Sequence, residues 1–120
     1  ADKLNRWGVP VLLTAQIDSW GVRDGWIPPN VKAAVNYYQD ELLTLRGQKL
    51  IRARDPQKTQ ILGNVQMRYP IFIPYPRPKG WARQVFGGAH ARMEADPILW
   101  AQVEANIRLA IAGATFLEAR

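Results

Sequence analysis

His90 is the only histidine in the chain, and it follows Gly87-Gly88-Ala89. An imidazole in a glycine turn ahead of a terminal helix is free to reorient and can exchange protons near neutral pH. The plainer reading is a surface-loop histidine with no chemical role. Asp18 closes the apolar run over residues 10–17. A carboxylate at the end of a buried strand must find a partner, and an imidazole is one such partner. The plainer reading there is an aspartate that caps its own turn. Together the two residues make an acid–imidazole pair, with the acid orienting the ring. Asp24, Asp40 and Asp55 are rivals for the acid.

No nucleophile accompanies them. Cysteine is absent and Ser19 is the only serine. Ser19 directly follows Asp18, so continued strand geometry would send the two side chains to opposite faces. It also lacks the Gly-x-Ser-x-Gly surroundings of a strained nucleophile turn. Neither a dinucleotide fingerprint nor a phosphate-binding P-loop occurs. With one His and no Cys, zinc ligation has no donor set, and no cofactor is expected. Trp20, Trp26 and Trp81 lie in loop stretches near Asp18 and His90. Aromatics so placed suit an apolar substrate pocket or a docking surface. Trp100 reads instead as core, on a helix face.

The chain has 120 residues, 48% of them apolar and 22% charged. That is one small globular domain, neither disordered nor a disulfide scaffold. No apolar run approaches the ~18 residues of a membrane span. Residues 1–25 have no basic-then-apolar signal pattern. Sixteen Lys+Arg against ten Asp+Glu give a net charge of +6. The cations are scattered, with small clusters at Arg52/Arg54 and at Arg77/Lys79/Arg83, and form no basic tail. Nucleic acid is therefore only weakly indicated as a partner, against a solvated basic face.

The elements that must carry these residues are legible by pattern. Residues 10–17 read as a buried, parallel-type strand. Asn30, after Pro28-Pro29, reads as an N-cap. Val31, Ala34, Val35, Tyr38, Leu42 and Leu45 then recur at helical spacing, so the pattern predicts a helix over 31–45, stopped by Gly47. Residues 48–54 and 59–68 are strand candidates about the turn Asp55-Pro56-Gln57-Lys58, either a hairpin or two strands extending a larger sheet. In the second run Ile61, Val65, Met67 and Tyr69 fall on one face by alternation. Four prolines in 70–80 make an extended surface segment. Asp96-Pro97 opens a helix over 97–112, with Gly113 as its stop.

This order of elements, together with two local patterns, resembles the C-terminal half of a bacterial lipase- or esterase-like α/β-hydrolase. One pattern runs Pro29-Asn30-Val31 through Asn36-Tyr37-Tyr38-Gln39. The other runs Gly87-Gly88-Ala89-His90 through Asp96-Pro97. The resemblance covers most of residues 8–112. It implies part of a mostly parallel α/β sheet with two flanking amphipathic helices, as a single partial domain over 1–120. It also implies Asp18 and His90 as triad acid and base, with the serine and oxyanion loop outside this chain. A half sheet of this kind would expose the strand at 10–17 along one edge. That edge would then pair with an upstream segment, a companion chain or a second copy.

Three readings follow. The first is the C-terminal portion of a serine hydrolase acting on carboxylic esters, completed by a polypeptide that carries the nucleophile. The second is a non-catalytic, basic, Trp-rich binding or assembly subunit with a protein or nucleic-acid partner. The third is a stand-alone enzyme using Asp18, Asp24 or Glu94 with His90. No paired-carboxylate or metal-ligand spacing supports the third.

Overall fold

The computed structural model describes residues 1–19, 21, 23–39, 48–69, 79 and 91–113. A short helix α1 (Asp2–Arg6) leads through Gly8, at φ 66°, into strand β1 (Val11–Ile17). Strand β3 (Val31–Tyr38) lies beside β1, and β5 (Gln60–Gln66) lies beside β3. Both pairings are parallel. Two-residue strands β2 (Trp26–Ile27) and β4 (Arg52–Ala53) pair in parallel as a separate ribbon. Helix α2 (Pro97–Ile111) closes the described chain, preceded by a helical turn at 91–94. The class is α/β with a parallel sheet.

The helix expected over 31–45 is corrected by the structure. Residues 31–38 form the central strand, with Val31, Ala33, Ala34, Val35, Asn36 and Tyr37 all fully buried. A strand covered on both faces is apolar on both faces, so the period of two disappears and helical spacings arise by chance. The β-branched and aromatic content of Val31, Val35, Tyr37 and Tyr38 carried the true signal. Asn30 caps nothing: its Nδ2 donates to the Val9 carbonyl at 2.8 Å, and its own carbonyl accepts from Val11 N at 2.9 Å. The rest of that expected helix, residues 40–45, lies outside the described residues. So does the proline-rich stretch, apart from Lys79.

The 48–54 and 59–68 segments do not form a hairpin. β4 pairs with β2, while β5 joins the main sheet. The pairing Ala34↔Ile61 is followed by Val35↔Gly63, so Leu62 is an extra residue in a bulge. A bulge shifts the alternation by one. Ile61 accordingly packs with Ile27, Val31, Ala34 and Ile51, while Val65, Met67 and Tyr69 pack with Leu62 in the other cluster. The single face expected for Ile61, Val65 and Met67 is split in two.

The main cluster joins Leu13, Ala15 and Ile17 of β1 and Ala33, Val35 and Tyr37 of β3 to Met93, Leu99, Val103 and Ala110. α2 begins as its sequence predicts: Asp96 Oδ1 accepts from Ile98 N (2.8 Å) and Leu99 N (3.3 Å), with Pro97 at N1. It stops at Gly113, whose φ of 69° suits glycine best. Helical spacing in the sequence points to Trp100, Val103, Ile107, Ile111 and Ala114 as the core-facing stripe; of these the structure buries Val103, and Ala114 lies outside the described residues. Leu99, Val103, Asn106 and Ala110 face the sheet, whereas Trp100 is 46% exposed, and Ile107 and Ile111 are exposed too. Trp100 is therefore not core, and its indole donates to the Glu94 carbonyl at 2.6 Å.

The opposite face of the sheet is covered, in its described part, by crossover segments rather than helices. Loop backbone laid on a sheet brings polar groups that water can no longer reach. A row of amides across the sheet meets them. Gln16, Asn36 and Asn64 are register neighbours on the three strands. Gln16 Nε2 donates to the Asp24 carbonyl (2.9 Å), and Asn36 Nδ2 to the Gln48 carbonyl (2.6 Å). Asn64 Oδ1 accepts from Ile51 N (2.7 Å). Thr59 Oγ1, also buried, donates to the Val31 carbonyl at 2.7 Å.

Candidate functional site

In a parallel sheet the carboxyl ends of the strands open onto a crevice where ligands bind. In this protein that end is formed by Ile17-Asp18, Tyr38-Gln39 and Gln66-Met67, brought level by the register Ile17↔Tyr37 and Tyr38↔Gln66. Asp18 is 6% exposed and takes φ 46°, the one non-glycine residue at positive φ among those described. Aspartate tolerates this conformation better than most residues, though at some cost. The backbone remains tied to the neighbouring strand, since Asp18 N donates to the Tyr37 carbonyl at 2.8 Å. The positive φ thus turns the chain out of the sheet while the carboxylate stays buried.

Gln39 holds that carboxylate from the next strand. It is as buried as the core, and its Nε2 donates to Asp18 Oδ2 at 3.4 Å. Sequence reading missed Gln39, because on a helix it would lie remote from Asp18.

Two of the rival acids, Asp24 and Asp55, are otherwise engaged. Asp24 Oδ2 accepts from Ser19 Oγ and from Gly21 N (2.8 Å), closing the turn that follows β1. Ser19 is therefore a turn residue, consistent with its lack of nucleophile surroundings. Asp55 accepts from Gln57 N at 3.1 Å and pairs with Lys58 at 3.7 Å in an exposed turn. Glu94 is exposed. Asp40 lies outside the described residues, as do Trp20, Trp81 and His90. Three positions beyond His90, Met93 is fully buried in the cluster that holds Ile17 and Tyr37. Trp26 sits on the β2–β4 ribbon, 52% exposed, opposite the exposed Arg52.

A second polar centre lies at the start of α2. Tyr69 Oη donates to Asp96 Oδ2 at 2.7 Å. That bond, helped by the Ile98 and Leu99 amides, lowers the Asp96 carboxyl below its usual value, against the opposing effect of desolvation. Burial chiefly, with the Asp96 bond and charge, pushes the Tyr69 phenol well above its usual value. Burial likewise raises Tyr37, whose hydroxyl accepts from Asn106 Nδ2 at 3.4 Å. Among the described residues no His/Cys/Asp/Glu group could hold a metal, and no helix is long and apolar enough to cross a membrane.

These features define a class: a small α/β protein with a parallel sheet and a buried Asp–Gln pair at its carboxyl end. Comparison with family models, curated proteins and solved structures gives no match for the chain. The functional argument therefore rests on geometry.

Proposed function

We propose that this chain is the C-terminal portion of a serine hydrolase acting on carboxylic esters, with Asp18 as the triad acid, His90 as the base and the serine on polypeptide outside these residues. The observation that carries the reading is Asp18 itself: a carboxylate buried at the carboxyl end of a parallel strand, at positive φ, with the Gln39 amide bonded to it. Burying a charge is costly, and strained, buried carboxylates concentrate at functional sites. His90 would take the proton from the serine hydroxyl and return it to the leaving alcohol. Asp18 would fix the ring tautomer and stabilise the imidazolium. Gln39 would hold the carboxylate in register with the ring.

The test is hydrolysis of a p-nitrophenyl ester by the protein together with its nucleophile-bearing polypeptide. Asp18→Asn and His90→Ala should each lower kcat by roughly a thousandfold or more. A serine outside this chain should react with a fluorophosphonate. Full activity in His90→Ala would end the proposal.

A second reading has one observation of its own. The ribbon presents Trp26 beside Arg52 on an exposed edge, in a chain of net charge +6. Stacking aromatics interleaved with cations suit single-stranded nucleic acid. Retention on an oligonucleotide that falls steeply with salt, and is lost in Trp26→Ala, would favour it.

A further inference from the structure

β1 is an edge strand: among the described residues it pairs with β3 alone. Asp18 N donates to the Tyr37 carbonyl, so the period of two points the Gln16 and Thr14 amides at β3 and turns the Leu13, Ala15 and Ile17 amides toward the open side. Proteins guard such edges with charges, bulges or an overlying element. β1 has no charged residue and its pairing with β3 shows no register shift.

The overlying element is offset. α2 packs chiefly on β1, not on the central strand. A helix about 10 Å wide covers about two strands at their ~4.8 Å spacing. Centred on an edge strand, it roofs that strand and a lane beside it in which no described strand lies. Asn106, on the flank of α2 toward β3, bonds Tyr37, and Leu109 packs on the core from the same side. Trp100, Ile107 and Ile111 lie about 90° around the helix, on the other flank. They are exposed and apolar, so the roof of the lane is hydrophobic.

We propose that this lane binds one extended polypeptide strand, apolar on the side toward α2 and acidic on the other. Acidity follows from charge complementarity with the net +6 of the chain and with Lys3 and Arg6 on α1, which leads into β1. A second copy fits badly. Joined edge to edge about a two-fold axis normal to the sheet, the two α2 helices would lie about 5 Å apart, whereas packed helices need 8–10 Å. The occupant is therefore a strand with no helix of its own over that face. This inference stands apart from the catalytic reading.

The experiment follows amide exchange by NMR in the isotopically labelled chain, with a capped octapeptide of alternating valine and glutamate as probe. In the free chain the Leu13, Ala15 and Ile17 amides should exchange quickly, and saturating peptide should slow them roughly tenfold or more. Thr14 and Gln16, bonded to β3, should not change, and they report that each variant remains folded. Ile107→Glu should abolish the protection with Thr14 and Gln16 still slow. A valine–lysine peptide should bind markedly more weakly. The proposal falls if the three amides stay fast with peptide. It falls if they are already slow in the free chain, or become slow only as chain concentration rises, which would mean that a second copy fills the lane. Equal binding of the lysine peptide overturns the acidic assignment.

Discussion

At the scale of single residues, Asp96 links local structure to pH. Its carboxylate accepts from two backbone amides at the head of α2 and from Tyr69. Because its folded pKa is lowered, its contribution to stability is complete above the ordinary 3.8 and is lost as pH falls through the folded value. Asp96→Asn keeps a side chain able to cap the helix and removes the charge. Urea unfolding at neutral pH and again below pH 3.8 should therefore show a smaller acid loss in Asp96→Asn than in the native chain. An equal loss would place the acid sensitivity in other carboxylates. Tyr69 acts at the other end of the scale. Its phenol is raised, so it stabilises the fold below its ordinary value of 10.0, and that contribution fades as pH rises through the folded value. The Asp96 cap and Asp18 were legible in sequence, since each needs only its local frame. Gln39 and the Gln16–Asn36–Asn64 row were not, because their meaning depends on strand register.

At the scale of elements, α2 separates pattern from packing. Its sequence offers two apolar stripes, one through Leu99, Val103 and Ala110 and one through Trp100, Ile107 and Ile111. The helical spacing of Trp100, Val103, Ile107, Ile111 and Ala114 points to the second, and spacing alone does not exclude the first. The structure buries the first. Leu99→Ala should therefore cost about 2–5 kcal/mol, and Trp100→Ala less than about 1 kcal/mol in the isolated chain. Denaturant unfolding of the two variants measures both. The reverse order would restore the sequence-based face. β3 was misread for a related reason. Burial on both faces erased its alternation, and the extra residue at Leu62–Gly63 reset the phase of its neighbour β5. Length, proline and capping signals survive such effects, which explains why β1 and both ends of α2 were legible when the central strand was not.

At the scale of the whole molecule, the parallel sheet has its carboxylate site and its open edge on the same strand. Parallel sheets are stable when both faces and both edges are served. Here the faces are served, among the described residues, by α2 and by the crossover segments with their amide row, while no described strand serves the β1 edge. An edge of this kind should aggregate irregularly at high concentration when no partner strand is present, without the ordered two-fold pairing that the α2 helices oppose. Leu12 tests that. Its side chain is 50% exposed, and alternation puts it on the face away from α2, since Leu13 packs with the α2 cluster. Leu12→Lys removes little packing, so unfolding free energy should change by about 0.5 kcal/mol or less. Yet it places a strongly hydrated charge on an edge strand that has none. Light scattering from the isolated chain should then rise later and at higher concentration in Leu12→Lys than in the native chain. If scattering is unchanged, the association surface is not the edge, and Ile111→Glu on the exposed α2 flank becomes the variant to compare. A delayed rise with unaltered stability would locate association at β1, within a few residues of Asp18. Any polypeptide that occupied the edge would then also border the candidate site.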